Sequence, residues 1–188
     1  MHDSALIRWW IGITLAASVF AIIDGGWLAT TLALAPERVW HGEVWRLVTW
    51  ALVETSPLRL VLLCVTIFVL GGELVTMWGD RRLRRFMLQI VLAAGVIGCV
   101  AALLSDNAWW MRHTAGWAID DAIVIAWARQ FPQRPLRIYG LLELRGQQLV
   151  TVTLAITAVF ALFYGPFVMA PELAACAAAA LYPRGWLR

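Results

Sequence analysis

Long apolar runs constrain this chain more than any other feature. A bilayer's hydrocarbon core is about 30 Å thick and is crossed by about 20 apolar residues of helix. Six segments meet or approach that length, at about 6–27, 58–78, 86–104, 115–131, 149–164 and 167–182. The fourth is unusual because it carries Asp120 and Asp121, and the sixth is short and rich in alanine. Of 188 residues, 62% are apolar and only 14% charged. Soluble domains average roughly 45–50% apolar and 25% charged, so the chain reads as one all-α, polytopic membrane domain over 1–188. A secretory signal is a competing reading of the N-terminus. The small-residue site at Ala33–Ala35 lies too far beyond the apolar run, which favours a retained span.

Charge asymmetry orients such a bundle, because Arg and Lys in short loops stay on the cytoplasmic side. The chain contains no Lys. With a cytoplasmic N-terminus, six spans place eleven Arg inside: Arg8, Arg81, Arg82, Arg84, Arg85, Arg129, Arg134, Arg137, Arg145, Arg184 and Arg188. Only four fall outside: Arg38, Arg46, Arg59 and Arg112. Both termini are therefore expected in the cytoplasm. Tryptophans gather at both interfaces, where the ring is apolar and the N–H needs a partner. Trp40, Trp45, Trp50, Trp109, Trp110 and Trp117 fall near the outer ends, and Trp9, Trp10, Trp78, Trp127 and Trp186 near the inner ones.

Several function classes recede on composition. The formal net charge is +3, but the basic residues are scattered among apolar runs, which argues against a nucleic-acid partner. Cys64, Cys99 and Cys176 each sit within apolar sequence with no CxxC, so neither a disulfide framework nor a metal site is expected. No cofactor motif is present. The stretch 130–148, with Pro132, Pro135 and Gly140, reads as a cytoplasmic loop; 136–144 suits either a short amphipathic helix in the interface or a polar connector.

Between the first two spans runs Gly42-Glu43-Val44-Trp45-Arg46-Leu47-Val48-Thr49, followed by a span with Gly71-Gly72 and then by Gly95-Val96-Ile97-Gly98 in the next. This frame resembles the first loop and the second and third spans of rhomboid intramembrane proteases. The resemblance covers about 32–182 at uneven strength. It implies a six-span rhomboid-like bundle whose first loop is partly inserted in the outer leaflet. There, irregular backbone must find polar partners within the protein, and Glu43 and Arg46 are candidates to bond loop backbone and each other. Small residues such as Gly71, Gly72, Gly95, Gly98, Ala175 and Ala179 permit close helix approach.

The chain departs from the family where the chemistry lies. The positions matching the family's oxyanion-stabilising His, His and Asn hold Glu54, Arg59 and Leu63. Leu63 cannot donate a hydrogen bond, and Glu54 would repel the charge such donors must stabilise. The nucleophile position falls on Gly116, followed by Trp117, and the general-base position on Glu172 after Pro171. No Ser lies beyond Ser105, and His2, His41 and His113 all lie outside the spans. A nucleophile and base within hydrogen-bond reach are missing, so serine-protease activity is not expected.

Ionisable residues inside spans are expensive and read as functional by default. Under the rhomboid-like arrangement, Arg59 pairs with Asp120, Glu172 or both as a structural lock, while Asp121 needs another partner or a proton. A polar cavity for a client or ligand and carboxylate chemistry are the competing readings. By resemblance to pseudorhomboids and derlins, the expected role is to bind transmembrane segments of other proteins or to serve as a subunit or adaptor of a membrane complex. Two alternatives stay open: an intramembrane protease with non-standard residues, Ser56 among them, and a small transporter using Asp120 and Glu172. The compact layout suggests the bacterial inner membrane as location.

Overall fold

The computed structural model describes residues 4–138 and 142–182. His2, Gly140, Arg184, Trp186 and Arg188 lie outside the described residues.

Among the described residues, eleven α-helices and one strand pair follow in order: α1 (Ala5–Ile23), α2 (Trp27–Leu32), α3 (Pro36–Trp40), α4 (Arg46–Thr49), α5 (Pro57–Thr66), α6 (Gly72–Trp78), α7 (Asp80–Ala101), α8 (Asp106–Trp110), α9 (Gly116–Gln130), β1 (Pro135–Ile138), β2 (Leu142–Arg145), α10 (Gly146–Tyr164) and α11 (Ala170–Leu181). A single π turn, Ile67–Gly71, joins α5 to α6, so that Pro57–Trp78 is one continuous apolar rod. Among the described residues, four helical stretches are long and apolar enough to cross a membrane: Ala5–Ile23, Pro57–Trp78, Asp80–Leu104 and Gly146–Tyr164. The expected fourth and sixth spans form helices of 15 and 12 residues, α9 and α11. Their shortness matches their position. α9 is enclosed by α5, α7, α10 and α11, so neighbouring helices cover most of its surface in place of lipid, and its hydropathy is free to fall.

The outward surface is apolar. Phe68, Val96, Val100, Ile156, Leu162 and Phe163 are all exposed, a distribution that water would penalise and hydrocarbon tolerates. Helices that satisfy their own backbone bonds are one of the two structures able to span lipid. The chain is thus a helical membrane protein.

Helix approach is closest where glycine meets a neighbour. A Cβ on Gly98 would lie 2.6 Å from Cγ of Pro171, which lets α7 and α11 touch. One on Gly95 would lie 3.1 Å from the Leu47 carbonyl, which seats α4 on α7, and one on Gly71 would lie 3.2 Å from Ile7. Ala175 and Ala179 are fully buried where α11 meets α7 and α9. Gly72 is different: nothing lies within 4 Å of its Cβ direction. The packing role expected of it is absent, because it points about 100° around the rod from Gly71, where no neighbouring helix comes close.

One element departs from helix. In the loop after α9, β1 and β2 pair antiparallel, Pro135 opposite Arg145 and Ile138 opposite Leu142. Neither an amphipathic helix nor a plain connector forms there. Pro132 and Pro135 disfavour helix over this stretch, while Gly146 backs against the Phe131 carbonyl, where a Cβ would come within 2.4 Å.

Candidate functional site

The segment between α1 and α5 is built inward from one guanidinium. Arg46 is only 1% exposed. It donates from Nε to Glu43 Oε2 at 2.6 Å and from one terminal nitrogen to the carbonyls of Thr30 and Ala33 at 2.7 and 2.8 Å. Arg46 therefore supplies the donors that the C-terminal end of α2 would otherwise lack. Gly42 provides the positive φ (104°) that turns the chain between α3 and α4. Trp50 is fully buried and donates to the Leu47 carbonyl at 3.1 Å. Trp40 reaches across to the Cys99 carbonyl on α7 at 3.1 Å. Trp45, by contrast, stays half exposed on the rim.

Glu54 organises the head of α9. It is 1% exposed. Its Oε2 accepts the Gly116 N–H at 2.9 Å and the Thr114 hydroxyl at 3.1 Å; its Oε1 accepts the Ser56 N–H at 2.9 Å. The Glu54 N–H donates to Ser18 Oγ of α1 at 3.0 Å. An anion is favoured at a helix N-terminus by the free N–H groups and the helix dipole. Here the anion arrives from a loop 62 residues away in sequence and fills the place a residue's own capping side chain would take. Gly116 is required by that arrangement, since a Cβ would meet Glu54 Oε2 at 2.5 Å. Two backbone ties hold the assembly: Ala115 N–H to the Val53 carbonyl, and a β-bridge between Leu34 and His113.

The expected Arg59–Asp120–Glu172 lock does not form. Among the described residues, no hydrogen bond or ion pair joins Arg59 to either acid, or the two acids to each other. Arg59 is exposed on the first turn of α5 and stacks its guanidinium over the Trp117 ring, 5.5 Å from the centroid. A long cationic side chain holds its head at the rim by snorkelling. Leu63, one turn further along α5, is fully buried. Asp120 turns toward α5, beside Cys64 and Thr66, and its Oδ1 has no partner. Asp121, the acid for which a partner had to be found, binds instead between helices. The Thr157 hydroxyl of α10 donates to its Oδ2 at 2.8 Å, and the Cys176 thiol of α11 approaches the same oxygen at 3.5 Å. This hydrogen bond ties α9 to α10 beside the Trp117–Phe160 ring contact, centroids 5.5 Å apart; among the described residues α10 is otherwise buried only at Gly146 and Leu149.

Glu172, in the first turn of α11, faces His113 with Oε1 at 3.6 Å from Nδ1, while its Oε2 is buried without a partner. Both line a cavity of about 320 Å³ that Arg59, Arg112, Thr114 and Trp117 also border, closed on the α10 side by Phe160 and Tyr164. Ser56 takes no part in it; its N–H is held by Glu54. Thr114, His113, Ser18 and Thr157 were missed by reading the sequence for family positions. Polar residues inside apolar runs, such as Thr14 and Ser18 four apart in α1, were the available signal.

At the other end of the bundle, Glu73 of α6 accepts from Trp127 Nε1 at 2.7 Å and from Arg134 at 2.9 Å. Arg129 of α9 donates to the carbonyls of Ala179 and Tyr182 at 2.7 and 3.0 Å, closing the C-terminal end of α11. Both ends of α9 are thus tied by charged side chains. The chemistry differs at the cavity, where the Glu172 carboxylate accepts no hydrogen bond among the described residues.

Residues 6–187 match the model of a family described as eukaryotic integral membrane protein (DUF1751), and the chain belongs to that family. No curated protein matches it. Membership agrees with an integral membrane protein and overturns the bacterial inner membrane expected from the compact layout. An apolar helical pattern reports that a chain belongs in a bilayer and says nothing of whose bilayer it is.

Proposed function

From membership in that family and the state of the α9 head, we propose that this protein is a rhomboid-like, proteolytically inactive holder of other proteins' transmembrane segments, acting as an adaptor or subunit of a membrane complex. In this reading α9 and α11 complete six spans. Both termini face the cytoplasm, and the loop carrying Arg46 dips into the opposite leaflet.

One observation carries the reading. At the position of a nucleophile stands Gly116, and the space its side chain would need holds the Glu54 carboxylate, bonded to the Gly116 N–H. A negative charge aimed at the helix head occupies the donors that an oxyanion would require. The placing of α4 along α7, with Leu47 against Gly95, supports an inserted first loop. The outer side of α10, where Val152, Ile156 and Val159 are exposed, supports a lateral face where a client helix seats. Helix association in lipid relies on close packing and a few polar contacts, and this side offers both.

The experiment is affinity purification of the full chain from native membranes after in-membrane crosslinking, with crosslinkers on Val152, Ile156 and Val159 of α10. Discrete adducts with membrane proteins are expected. Adducts absent from α10 but present elsewhere on the bundle would overturn the placing of the client. Cleavage of a reconstituted transmembrane substrate by the purified chain, abolished by Asp120→Asn or Glu172→Gln, would overturn the reading as a whole.

A further inference from the structure

The cavity at the head of α9 and α11 has an unbalanced set of polar groups, and the imbalance describes a ligand. Glu172 is 7% exposed, and one of its carboxylate oxygens is buried with no partner. The other stands 3.6 Å from His113 Nδ1, too far for a hydrogen bond. Leaving a buried carboxylate under-donated is costly unless something else supplies N–H or O–H groups. Two cations share the cavity. Arg59 uses the face of its guanidinium on Trp117, which leaves the N–H edges free to donate. Arg112 is exposed and makes no ion pair among the described residues. Guanidinium forks match phosphate oxygens in plane and spacing. The walls between these groups are Trp117, Phe160 and Tyr164. A volume of about 320 Å³ falls at the small end of ligand cavities.

We propose that this cavity binds a phosphodiester bearing a primary ammonium, the chemistry of an aminophospholipid headgroup. The phosphate lies between Arg59 and Arg112, and the ammonium donates to Oε1 of Glu172, the carboxylate oxygen on the His113 side, which has no hydrogen bond of its own among the described residues. A quaternary ammonium has no N–H and leaves that oxygen unsatisfied; a headgroup with only hydroxyls brings no compensating charge. The aromatic wall receives the glycerol and the first methylenes. The inference stands on the cavity alone and holds whether or not a client helix binds along α10.

Native mass spectrometry on the full chain tests it. The protein is purified in detergent and equilibrated with mixed micelles holding equal amounts of phosphatidylethanolamine, phosphatidylcholine and phosphatidylglycerol of identical acyl chains. Retention of the ethanolamine lipid about tenfold over each of the others is expected. Glu172→Gln should bring it down to the level of the choline lipid without changing the latter. Arg112→Ala, at an exposed position that leaves the fold intact, should lower retention of all three. Soluble glycerophosphoethanolamine, added as competitor, separates the two sources of this chemistry: displacement of the lipid assigns the cavity to free headgroups as well, and no displacement assigns it to bilayer lipid. Equal retention of the three lipids, or an ethanolamine preference that survives Glu172→Gln, would overturn the proposal.

Discussion

Glu54 and Glu172 are the same side chain, both buried, near the same helix head, yet their surroundings are opposite. Glu54 receives three donors within 3.1 Å from two segments, the loop it lies in and the 114–116 corner. Glu172 receives none closer than 3.6 Å, holds one oxygen buried without a partner, and lines a cavity. A buried carboxylate with every acceptor site answered is a structural device, since removing it orphans the donors as well. One left unanswered beside two arginines is a device for recognition. The difference teaches that burial and charge do not by themselves separate architecture from function in a membrane bundle; partner satisfaction does.

The sharpest way to break this comparison is to remove both carboxylates in turn. Glu54→Ala should destabilise the fold most, by about 3 kcal/mol or more, because three donors aimed at one carboxylate lose their acceptor. Glu172→Ala should leave the midpoint of thermal unfolding in detergent almost unchanged, since no hydrogen bond is lost with it. Equal losses for the two would erase the distinction. Arg46→Ala, which strands Glu43 and the carbonyls of Thr30 and Ala33, should follow at about 2–4 kcal/mol, read as loss of folded protein on gel filtration. Gly116→Ser inserts a Cβ where Glu54 Oε2 stands and should cost about 1–3 kcal/mol by overpacking, while conferring no cleavage of a reconstituted transmembrane substrate. Gly98→Ala, set against Pro171, belongs to the same range. The smallest effect is expected of Thr157→Val, about 1 kcal/mol, visible as faster hydrogen exchange in α10 alone.

How much of this was legible beforehand depends on the range over which each feature is decided. The spans were: α1, the Pro57–Trp78 rod, Asp80–Leu104 and Gly146–Tyr164 follow local hydropathy to within a few residues. The neighbourhood of Glu43 and Arg46 could be suspected, because an ionisable pair in an apolar loop needs partners nearby. The strand pair after α9 was not foreseen, since its two strands match helix and loop patterns about as well as their own. The supposed lock of Arg59 with Asp120 and Glu172 failed because helical periodicity says which residues share a face and not how far a neighbouring helix lies or which rotamer its arginine takes. Asp120 and Asp121 were both flagged, but only the packing of α10 and α11 gives Asp121 a hydroxyl and a thiol while leaving Asp120 against α5.

By itself, the sequence determined that this chain is an integral membrane protein built on long apolar helices. That is a property of residue identity and of runs some 20 residues long, over which the cost of burying or exposing backbone and side chains adds up locally. Only the tertiary structure decided that a glutamate from the loop before α5 is the cap of α9, and that a second glutamate faces an aromatic cavity with an oxygen to spare. Hydrogen bonds are satisfied at about 3 Å, and which groups come that close is set by how the helices pack, a matter on which residue order along the chain is silent.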